Sequence, residues 1–363
     1  MRVLVVNTGS SSVKLRLLDG TDLVGSTDLG APSTLDPSEV AGAVGELAGE
    51  SGVDCVGHRV VHGGPSFTSA VVVDDRVRAE LDSIVELAPL HLPASLAGLD
   101  AVRTALPSVP SVACFDTAFH ATIPAEAGTY ALPAEWRDLG VRRYGFHGLS
   151  HAYSARRAAE ILDVPGDGLR LVSCHLGAGA SLCAVHSGRS VDTTMGFTPL
   201  EGLVMATRSG SVDPGLVLWL QRQSGLSADE VFDGLESRSG LLGLAGTADM
   251  REVLARTDSG DDVAKLAFTV YVYRVRAAIS AMAAAMAGVD AVSFTGGVGE
   301  ASAAVREGAV AGLEHLGIAV NPGQNEAARG DANVSAPGSP AGVAVVTARE
   351  DLEIVRQVES LLG

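Results

Sequence analysis

Polar and glycine-rich turns recur along this sequence beside cationic side chains, a combination that suits the binding of phosphate. The first such turn is N-T-G-S-S-S-V-K at 7–14, which follows an apolar, strand-like run. Glycine lets the backbone approach a ligand closely, serine hydroxyls donate to phosphate, and Lys14 supplies positive charge. An ordinary tight hairpin is the alternative interpretation. No G-x-x-x-x-G-K-[ST] motif is present, which disfavours a P-loop site.

A second candidate is the run 56–64, which contains an arginine between two histidines. Side chains alternate between the faces of a strand, so Arg59 and Val61 share one face, with His58 and Val60 on the other. A guanidinium beside a small apolar group matches a short fatty acid, because charge suits the carboxylate or phosphoryl group and methyl groups suit the tail. The alternative is an arginine in a structural ion pair.

Two further segments contain ionisable groups. Asp116 ends a predicted strand, and ligands of open α/β sheets gather at the carboxyl ends of strands. It could orient an arginine or a metal-bound water, or it could cap a helix. The segment 142–151 holds two arginines and two histidines. An imidazole there could stabilise charge on a transferring phosphoryl group, or the segment could simply lead into a helix at Ser150.

Arg208 lies in a loop that also contains glycines, and the segment 294–300 leaves a strand through glycines into a helix. The second geometry suits adenosine or phosphate at a helix N-terminus, although a lone G-G-x-G is common. No cluster of histidine and cysteine with metal-ligand spacing is apparent, and no G-x-S-x-G elbow is present.

The elements that must position these residues alternate between strands and helices, which predicts an α/β protein. The predicted strands are 2–6, 55–61, 112–115, 169–174, 182–185, 291–294 and 343–346. The predicted helices are 75–87, 151–162, 214–223, 262–286, 301–316 and 350–362, and 322–340 is predicted to be a surface loop. Strand–turn–strand segments at 7–17 and 175–185 suggest two related domains that face a cleft.

Composition limits the class of protein. The 363 residues suit about two domains, and 26 basic against 43 acidic residues give a net charge of −17. Such a surface disfavours nucleic acid and anionic membranes as partners, so an anionic substrate requires a locally basic site. The start lacks the plan of a signal peptide, and the apolar run 277–289 is too short for a membrane span. Four cysteines without a C-x-x-C pair indicate reduced thiols and a cytoplasmic protein.

Taken in order, eight motifs resemble the acetate kinase family and extend along nearly the whole chain. They are N-T-G-S-S-S-V-K at 7–14, H-R-V-V-H-G-G at 58–64, F-D-T-A-F-H at 115–120, R-R-Y-G-F-H-G at 142–148, H-L-G-A-G-A-S at 175–181, T-R-S-G at 207–210, D-M-R at 249–251 and F-T-G-G-V-G-E at 294–300. The resemblance implies an α/β fold of two ribonuclease-H-like (actin-like ATPase) domains flanking a nucleotide cleft. It implies a first domain of 1–117 with 349–363 and a second of 118–348.

The resemblance also implies reversible phosphoryl transfer from ATP to acetate, with ADP and acetyl phosphate as products, in a homodimer that uses Mg²⁺, with Mn²⁺ as a substitute. It implies catalytic roles for Arg59, Asp116, His147 and Arg208, and a magnesium site at Asn7 and Glu350. The implied substrate pocket is Arg59, Val61, Leu90, Phe146 and Pro199. The implied nucleotide-binding residues are Ser10, Ser12, Lys14, His175, Gly177, Gly179, Asp249, Met250, Arg251, Gly297, Val298 and Gly299.

The sequence departs from the family's usual motifs at four places. Ala178 and Leu92 stand where asparagine is usual, Leu149 replaces a threonine and Ser211 an aspartate. The chain is also several tens of residues shorter than typical members, with trimming mostly in the first domain. The two leucines raise the hypothesis of a drier acyl site suited to propionate or butyrate, and Ala178 with the shorter first domain raises that of a nucleotide-binding protein without turnover. Neutral drift is the alternative explanation.

Overall fold

The computed structural model describes residues 1–9, 12–31, 36–89 and 91–363. Its strands are β1 Arg2–Thr8, β2 Val13–Asp19, β3 Asp22–Leu29, β4 Cys55–Val60, β5 Val71–Val72, β6 Ser111–Phe115, β7 Arg170–Leu176, β8 Ala180–His186, β9 Arg189–Thr193, β10 Ala291–Thr295, β11 Ala332–Asn333 and β12 Gly342–Val345.

Helices alternate with these strands. They are α1 Pro37–Ala48, α2 Asp75–Ser83, α3 Leu92–Ala105, α4 Ala125–Gly128, α5 Ala134–Arg137, α6 Gly148–Leu162, α7 Pro214–Ser224, α8 Ala228–Ser237, α9 Gly240–Ala245, α10 Met250–Asp258, α11 Asp262–Ala285, α12 Gly296–Ala301, α13 Ala303–Val310, α14 Pro322–Ala327 and α15 Glu350–Leu362. In the described part of the chain, no helix is both long enough and apolar enough to cross a membrane.

The chain packs into two units. The first contains Met1–Ala121, Phe146–Tyr153 and Arg349–Gly363, and the second contains Thr122–Gly145 and Ser154–Ala348. The domain boundaries expected from the sequence, 1–117 with 349–363 and 118–348, remain a prediction. The short stretch Phe146–Tyr153 joins the first unit partly because the Gly148 amide donates to the Asp116 carbonyl oxygen at 2.8 Å.

Each unit has one mixed sheet, and the two sheets have the same topology among the described strands. The first has the order β3-β2-β1-β4-β6-β5 and the second the order β11-β12-β10-β7-β8-β9, which is the same order read from the other edge. In each unit an antiparallel three-strand meander leads to two parallel pairings and ends in an antiparallel edge strand. The repeat of strand–turn–strand segments in the sequence therefore reflects a duplicated sheet.

Strict alternation along the strands of the first unit decides which residues meet which helix. Val3 and Val5 of β1 pack with Ile354 and Val358 of α15, whereas the intervening Leu4 belongs to the cluster on the side of α1 and α3. Gly57 of β4 faces α15, and a Cβ there would lie 2.4 Å from Ile354 Cγ2. Glycine is therefore what lets α15 pack closely on the sheet, and this contact fixes the start of α15 beside the strand ends.

The second sheet is covered by the long helix α11, which packs on β7 and β8. Its buried residues recur at helical spacing and include Ala264, Ala267, Tyr271, Val275 and Ile279. Such a stripe is the pattern of a helix that buries one face against a sheet.

All seven predicted strands are present, with ends within two residues of those predicted. The predicted helix 75–87 ends at Ser83, and 301–316 is interrupted, since α13 ends at Val310. The prediction of a loop at 322–340 was wrong in part, because α14 and β11 lie within it. Helices α1, α3, α4, α5, α8, α9 and α10 were not predicted.

Candidate active site

Four polar side chains meet at the carboxyl end of the first sheet. Asn7 is the penultimate residue of β1 and is paired in register with Arg59 of β4, and Asp116 directly follows β6. These positions continue the face on which Val5, Gly57 and Cys114 lie, so all three side chains point toward α15. Glu350 is the first residue of α15 and completes the group.

Arg59 is the centre of this cluster. Its Nε donates to both carboxylate oxygens of Asp116 at 3.1 and 3.2 Å, and its Nη2 donates to Asp116 Oδ2 at 2.7 Å. Its Nη1 donates to Asn7 Oδ1 at 3.2 Å, and Glu350 Oε2 lies 3.8 Å from Nε. Planar guanidinium groups match carboxylate geometry in this way, so Asp116 fixes the plane of Arg59.

Burial and charge act against each other here. The Asp116 side chain is 2% exposed, while the Arg59 side chain keeps 21% of its surface open. Burial acts to lower the pKa of Arg59, but the carboxylates of Asp116 and Glu350 outweigh it and raise that pKa. Burial raises the pKa of Glu350, and the nearby Asp116 and Asp351 carboxylates raise it further against the opposing effect of Arg59. The cluster therefore favours an additional cation beside Glu350.

The segment Phe146–Tyr153, which follows α5 and belongs to the first unit, contains a histidine in a rare backbone conformation. His147 has φ of 58°, in the left-handed region that non-glycine residues seldom adopt. The following Gly148 packs so closely that a Cβ would lie 2.3 Å from the Asp116 carbonyl oxygen. Backbone strain held in place by packing occurs preferentially at functional sites, which supports a functional role for His147.

Phe146 is held by histidines of the first unit. It is 2% exposed, its ring meets that of His62 edge to face at 5.5 Å, and its carbonyl oxygen lies 3.0 Å from His120 Nε2. His62 accepts a hydrogen bond from the Gly64 amide at Nδ1, so this nitrogen is unprotonated. Burial lowers the pKa of His62 to about 4. His62 is therefore a neutral, structural histidine at neutral pH.

The second unit contains a cavity of about 900 Å³. Seven of the predicted nucleotide-binding residues line it, namely Gly177, Gly179, Asp249, Met250, Arg251, Gly297 and Val298. Three loops supply them: the β7–β8 turn, the start of α10 and the start of α12. A largely apolar, concave space with a few polar groups is typical of a small-molecule site.

Backbone geometry at Gly296 shapes one wall of this cavity. Gly296 has φ of 80°, and a Cβ would lie 2.9 Å from the carbonyl carbon and oxygen of Leu176. Its amide donates to Glu300 Oε1, which also accepts from the Ala348 amide, each at 3.0 Å. On another wall, Arg251 is paired with Asp249, the N-cap of α10, which lowers the pKa of that carboxyl.

Arg208 also lines the cavity, on the loop between β9 and α7. Its Nε donates to Glu236 Oε1 at 2.5 Å, and its Nη1 lies 3.5 Å from the Pro199 carbonyl oxygen. The Arg208 side chain is 18% exposed. A cationic group that reaches the cavity from this loop is suited to bind phosphate there.

The remaining predicted residues lie as follows. Lys14 is exposed on β2, paired in register with Asn7, and Ser12 accepts from the Gly9 amide through its carbonyl oxygen. His175 is the penultimate residue of β7, and its Nε2 would lie 3.5 Å from a Cβ at Gly177, while Gly299 is buried in α12. Ser10 and Leu90 lie outside the described residues. Val61 is half-buried in the first unit, and Pro199 is half-buried in the second.

The departures from the family's motifs fall into two kinds. Leu92 and Leu149 are buried in separate hydrophobic clusters of the first unit, at 0% and 1% exposure. They are core residues, and the hypothesis of a drier acyl site stays a prediction. By contrast, Ala178 lines the cavity and accepts from the Ala206 amide through its carbonyl oxygen, while the Ser211 hydroxyl accepts from the Gly202 amide at 3.1 Å.

Sequence reasoning did not find two acidic residues that hold the loops of the second unit. Glu236 pairs with Arg208, and Glu201 accepts from both Arg143, at 2.8 Å, and the Tyr130 hydroxyl. Neither glutamate belongs to a local motif with its partner. Only the three-dimensional fold brings them to these arginines.

Oxygen donors for a divalent cation are present but sparse. Among the residues that the structure describes, no group of three or more histidine, cysteine, aspartate or glutamate side chains could hold a metal ion. Magnesium commonly takes one or two protein carboxylates and keeps several waters, so this sparseness fits Mg²⁺. The raised pKa of Glu350 adds to this fit, since a cation would stabilise its carboxylate.

This duplicated α/β fold, with a clamped arginine in one unit and a glycine-lined cavity in the other, is that of an actin-like phosphotransferase. The crystal structure of the Porphyromonas gingivalis acetate kinase superposes with a TM-score of 0.92 at 38% identity over 100% of both chains. The crystal structure of a propionate kinase from Francisella tularensis subsp. tularensis superposes with a TM-score of 0.90 at 32% identity over 98% of both chains. The acetate kinase of Streptomyces avermitilis is 45% identical, over 100% of this chain and 98% of that protein.

The Acetokinase family model matches residues 42–356, and the chain belongs to this family. The predictions of the family, of a kinase and of an α/β fold with two actin-like ATPase domains are confirmed. The alignment with the Streptomyces relative runs over 395 positions, more than the 363 residues of this chain.

Proposed function

We propose that this enzyme transfers the γ-phosphoryl group of ATP to the carboxylate of acetate, reversibly, giving acetyl phosphate and ADP. The observation that carries the proposal is the arginine held by Asp116 and Asn7 at the carboxyl end of the first sheet, in a chain of the Acetokinase family. A partly open guanidinium in an acidic protein is a local anion site. Acetate and the transferring phosphoryl group are both anions.

The chemistry requires positioning more than proton transfer. A carboxylate oxygen attacks the γ-phosphorus in line, the bond from phosphorus to the bridging oxygen breaks, and ADP leaves with the electron pair. Because a carboxylate is already a nucleophile, no strong general base is required. The role of the protein is to hold both anions and to stabilise the charge that spreads over the equatorial oxygens.

Roles follow for the polar residues. Arg59 and Arg208 bind the carboxylate and the phosphoryl oxygens, Asp116 holds the Arg59 fork in one plane, and the His147 imidazole stabilises the transition state. Asn7 and Glu350 would hold Mg²⁺, which would supply positive charge to the phosphate oxygens. Val61, Phe146 and Pro199 contact the methyl group of acetate, and the cavity of the second unit binds ATP.

The direct test is acyl phosphate formation with Mg-ATP, trapped with hydroxylamine, across formate, acetate, propionate, butyrate and no acid. The proposal predicts the highest kcat/KM with acetate. An optimum at propionate would instead assign the activity named for the Francisella structure. Nucleotide binding without product from any acid would show a protein that binds ATP without turnover, and the proposal would fail.

We further propose a homodimer that forms through helix α7. None of the α7 residues is buried, and several of them are large and apolar. Leu216, Leu218 and Trp219 are 41%, 51% and 55% exposed, and Phe232 on the neighbouring α8 is 44% exposed. An apolar helix surface of this kind is typical of a protein interface. Trp219→Arg should reduce the mass in light scattering from dimer to monomer, while Leu139→Arg, at a site 78% exposed elsewhere in the unit, should not. A monomeric wild-type protein would contradict the proposal.

A further inference from the structure

Glu236 lies near the end of α8 and contacts the arginine that lines the cavity of the second unit. Its carboxylate accepts from Arg208 Nε at 2.5 Å, and the two side chains are 11% and 18% exposed. We propose that Glu236 is a positioning residue that fixes the Arg208 guanidinium for contact with the transferring phosphoryl group. This inference rests on the proposed function, which gives Arg208 that contact.

Glu236 occupies only one edge of the Arg208 guanidinium. The structure pairs the Glu236 carboxylate with Nε, whose N–H lies on the edge of the guanidinium away from Nη1. Nη1 lies near weaker acceptors, the Pro199 carbonyl oxygen at 3.5 Å and Met205 Sδ at 4.0 Å. A carboxylate on Nε fixes the plane of the guanidinium and therefore the direction in which Nη1 can donate.

The backbone around this pair is held independently of the Glu236 side chain. The Thr207 hydroxyl donates to the Glu236 carbonyl oxygen at 3.0 Å, and the Ser209 amide donates to the Leu235 carbonyl oxygen at 2.9 Å. The Ser239 amide donates to the Thr207 carbonyl oxygen at 2.8 Å. Replacing the carboxylate should therefore release the guanidinium but not the loop, so a side-chain variant tests orientation alone.

Charge makes the two possible substitutions differ. Glu236→Ala removes both the acceptor and the negative charge, so Arg208 loses its orientation. Glu236→Gln keeps an amide oxygen that can accept from Nε while it removes the charge that opposes an incoming anion. We expect kcat to fall about tenfold to hundredfold in the alanine variant. The glutamine variant should retain most of kcat, with an unchanged or lower KM for the carboxylate.

The decisive experiment is a double-mutant cycle with Arg208→Ala, assayed with whichever acid the wild-type enzyme uses fastest. If Glu236 acts through Arg208, Glu236→Ala should change kcat by no more than about twofold in the Arg208→Ala background. Asp233→Ala is the matched control on the same helix, because its ion pair with Arg238 is exposed, at 56% and 63%. It should leave kcat unchanged in both backgrounds.

A second measurement does not depend on turnover. Phenylglyoxal labelling of Arg208, quantified by peptide mass spectrometry, should be faster in Glu236→Ala than in the wild type, because the ion pair protects the guanidinium. Additive losses in the cycle, full kcat in Glu236→Ala, equal losses in the alanine and glutamine variants, or unchanged labelling would each overturn the inference. If the wild type phosphorylates no acid, the proposed function fails, and the labelling alone decides whether Glu236 holds Arg208.

Discussion

The two units are built on the same sheet but carry different chemistry at the same topological positions. The last register pair between β1 and β4 of the first unit is Asn7 with Arg59, and that between the equivalent strands β7 and β10 of the second is His175 with Thr295. The first unit has a charged cluster at the carboxyl end of its sheet, and the second has a glycine-lined cavity. A duplicated scaffold thus supplies two strand-end sites, and a few residues decide what each one binds.

The difference also concerns how each site is held rigid. In the first unit, side chains fix one another, as Asp116 and Asn7 fix Arg59. In the second, tight backbone contacts add to side-chain pairs such as Arg208 with Glu236, because Gly296 adopts a positive φ against the Leu176 carbonyl. Substitutions should therefore act differently in the two units. Those in the charged cluster of the first unit should change catalysis and acid stability, whereas those at Gly296 should change folding and those at Ala178 nucleotide affinity.

The largest effect is expected for Arg59→Lys. Lysine keeps the positive charge beside the buried Asp116 but loses the planar fork, so the unit should fold while kcat falls about 10³-fold. The hydroxamate assay measures turnover, and calorimetry of ATP binding should show an unchanged second unit. Arg16→Lys is the control, since Arg16 pairs with Asp351 at 3.3 Å but is 45% exposed. A kcat within tenfold of the wild type would contradict the assigned role of Arg59.

The next prediction concerns acid stability. Burial lowers the pKa of His62 to about 4, so the folded protein keeps this histidine neutral at pH values where the unfolded chain already binds a proton. This contribution is fully present above the ordinary histidine pKa of 6.5 and is lost as pH falls from 6.5 to about 4. The pKa shift of His62 corresponds to about 3 kcal/mol of the free energy of unfolding. Glu350 acts with the opposite sign, because its raised pKa favours the protonated form and so adds stability as pH falls.

Hydrogen exchange at pH 7 and pH 4.5 can compare the units directly. Peptides from β1 and β4 should lose protection in acid before peptides from β7 and β10, since His175, His186 and His315 of the second unit are not buried. His62→Asn keeps an acceptor for the Gly64 amide without titrating in this range, and it should reduce the acid sensitivity of the first unit. Equal acid sensitivity in the variant and the wild type would remove His62 as the cause.

A matched pair of glycine substitutions tests the rigidity of the second unit. Gly296→Ala places a Cβ against the Leu176 carbonyl at a positive φ, which should cost about 1–3 kcal/mol of stability. A Cβ at the adjacent Gly297 meets no atom within 4 Å, so Gly297→Ala should leave the free energy of unfolding within about 0.5 kcal/mol of the wild type. Urea unfolding measures both. Equal destabilisation by the two variants would show that the strain at Gly296 is unimportant.

The sequence predicted the central strands and the positions of the charged cluster because both depend on local patterns. Apolar, β-branched runs define strands such as β4 and β6, and a polar residue at their carboxyl ends marks the site. Helix α3 was missed because Pro93 and Gly98 weaken its local signal. Glu236 could not be found, since it lies 28 residues from Arg208 and only tertiary packing brings the two side chains together.

The smallest effect is expected at the nucleotide cavity, where Ala178 stands in the turn between β7 and β8. Its side chain carries no donor, although the residue lines the cavity. An asparagine there would add one hydrogen bond to a charged phosphate, so Ala178→Asn should lower the KM for ATP about tenfold with little change in kcat. Ala178→Ser, with a shorter donor, is the graded control and should give a smaller decrease. An unchanged KM for ATP in both variants would mean that another donor of the second unit already binds that phosphate oxygen. Because Ala178 offers no side-chain donor, the backbone amides of the glycine-lined turn would then account for the affinity.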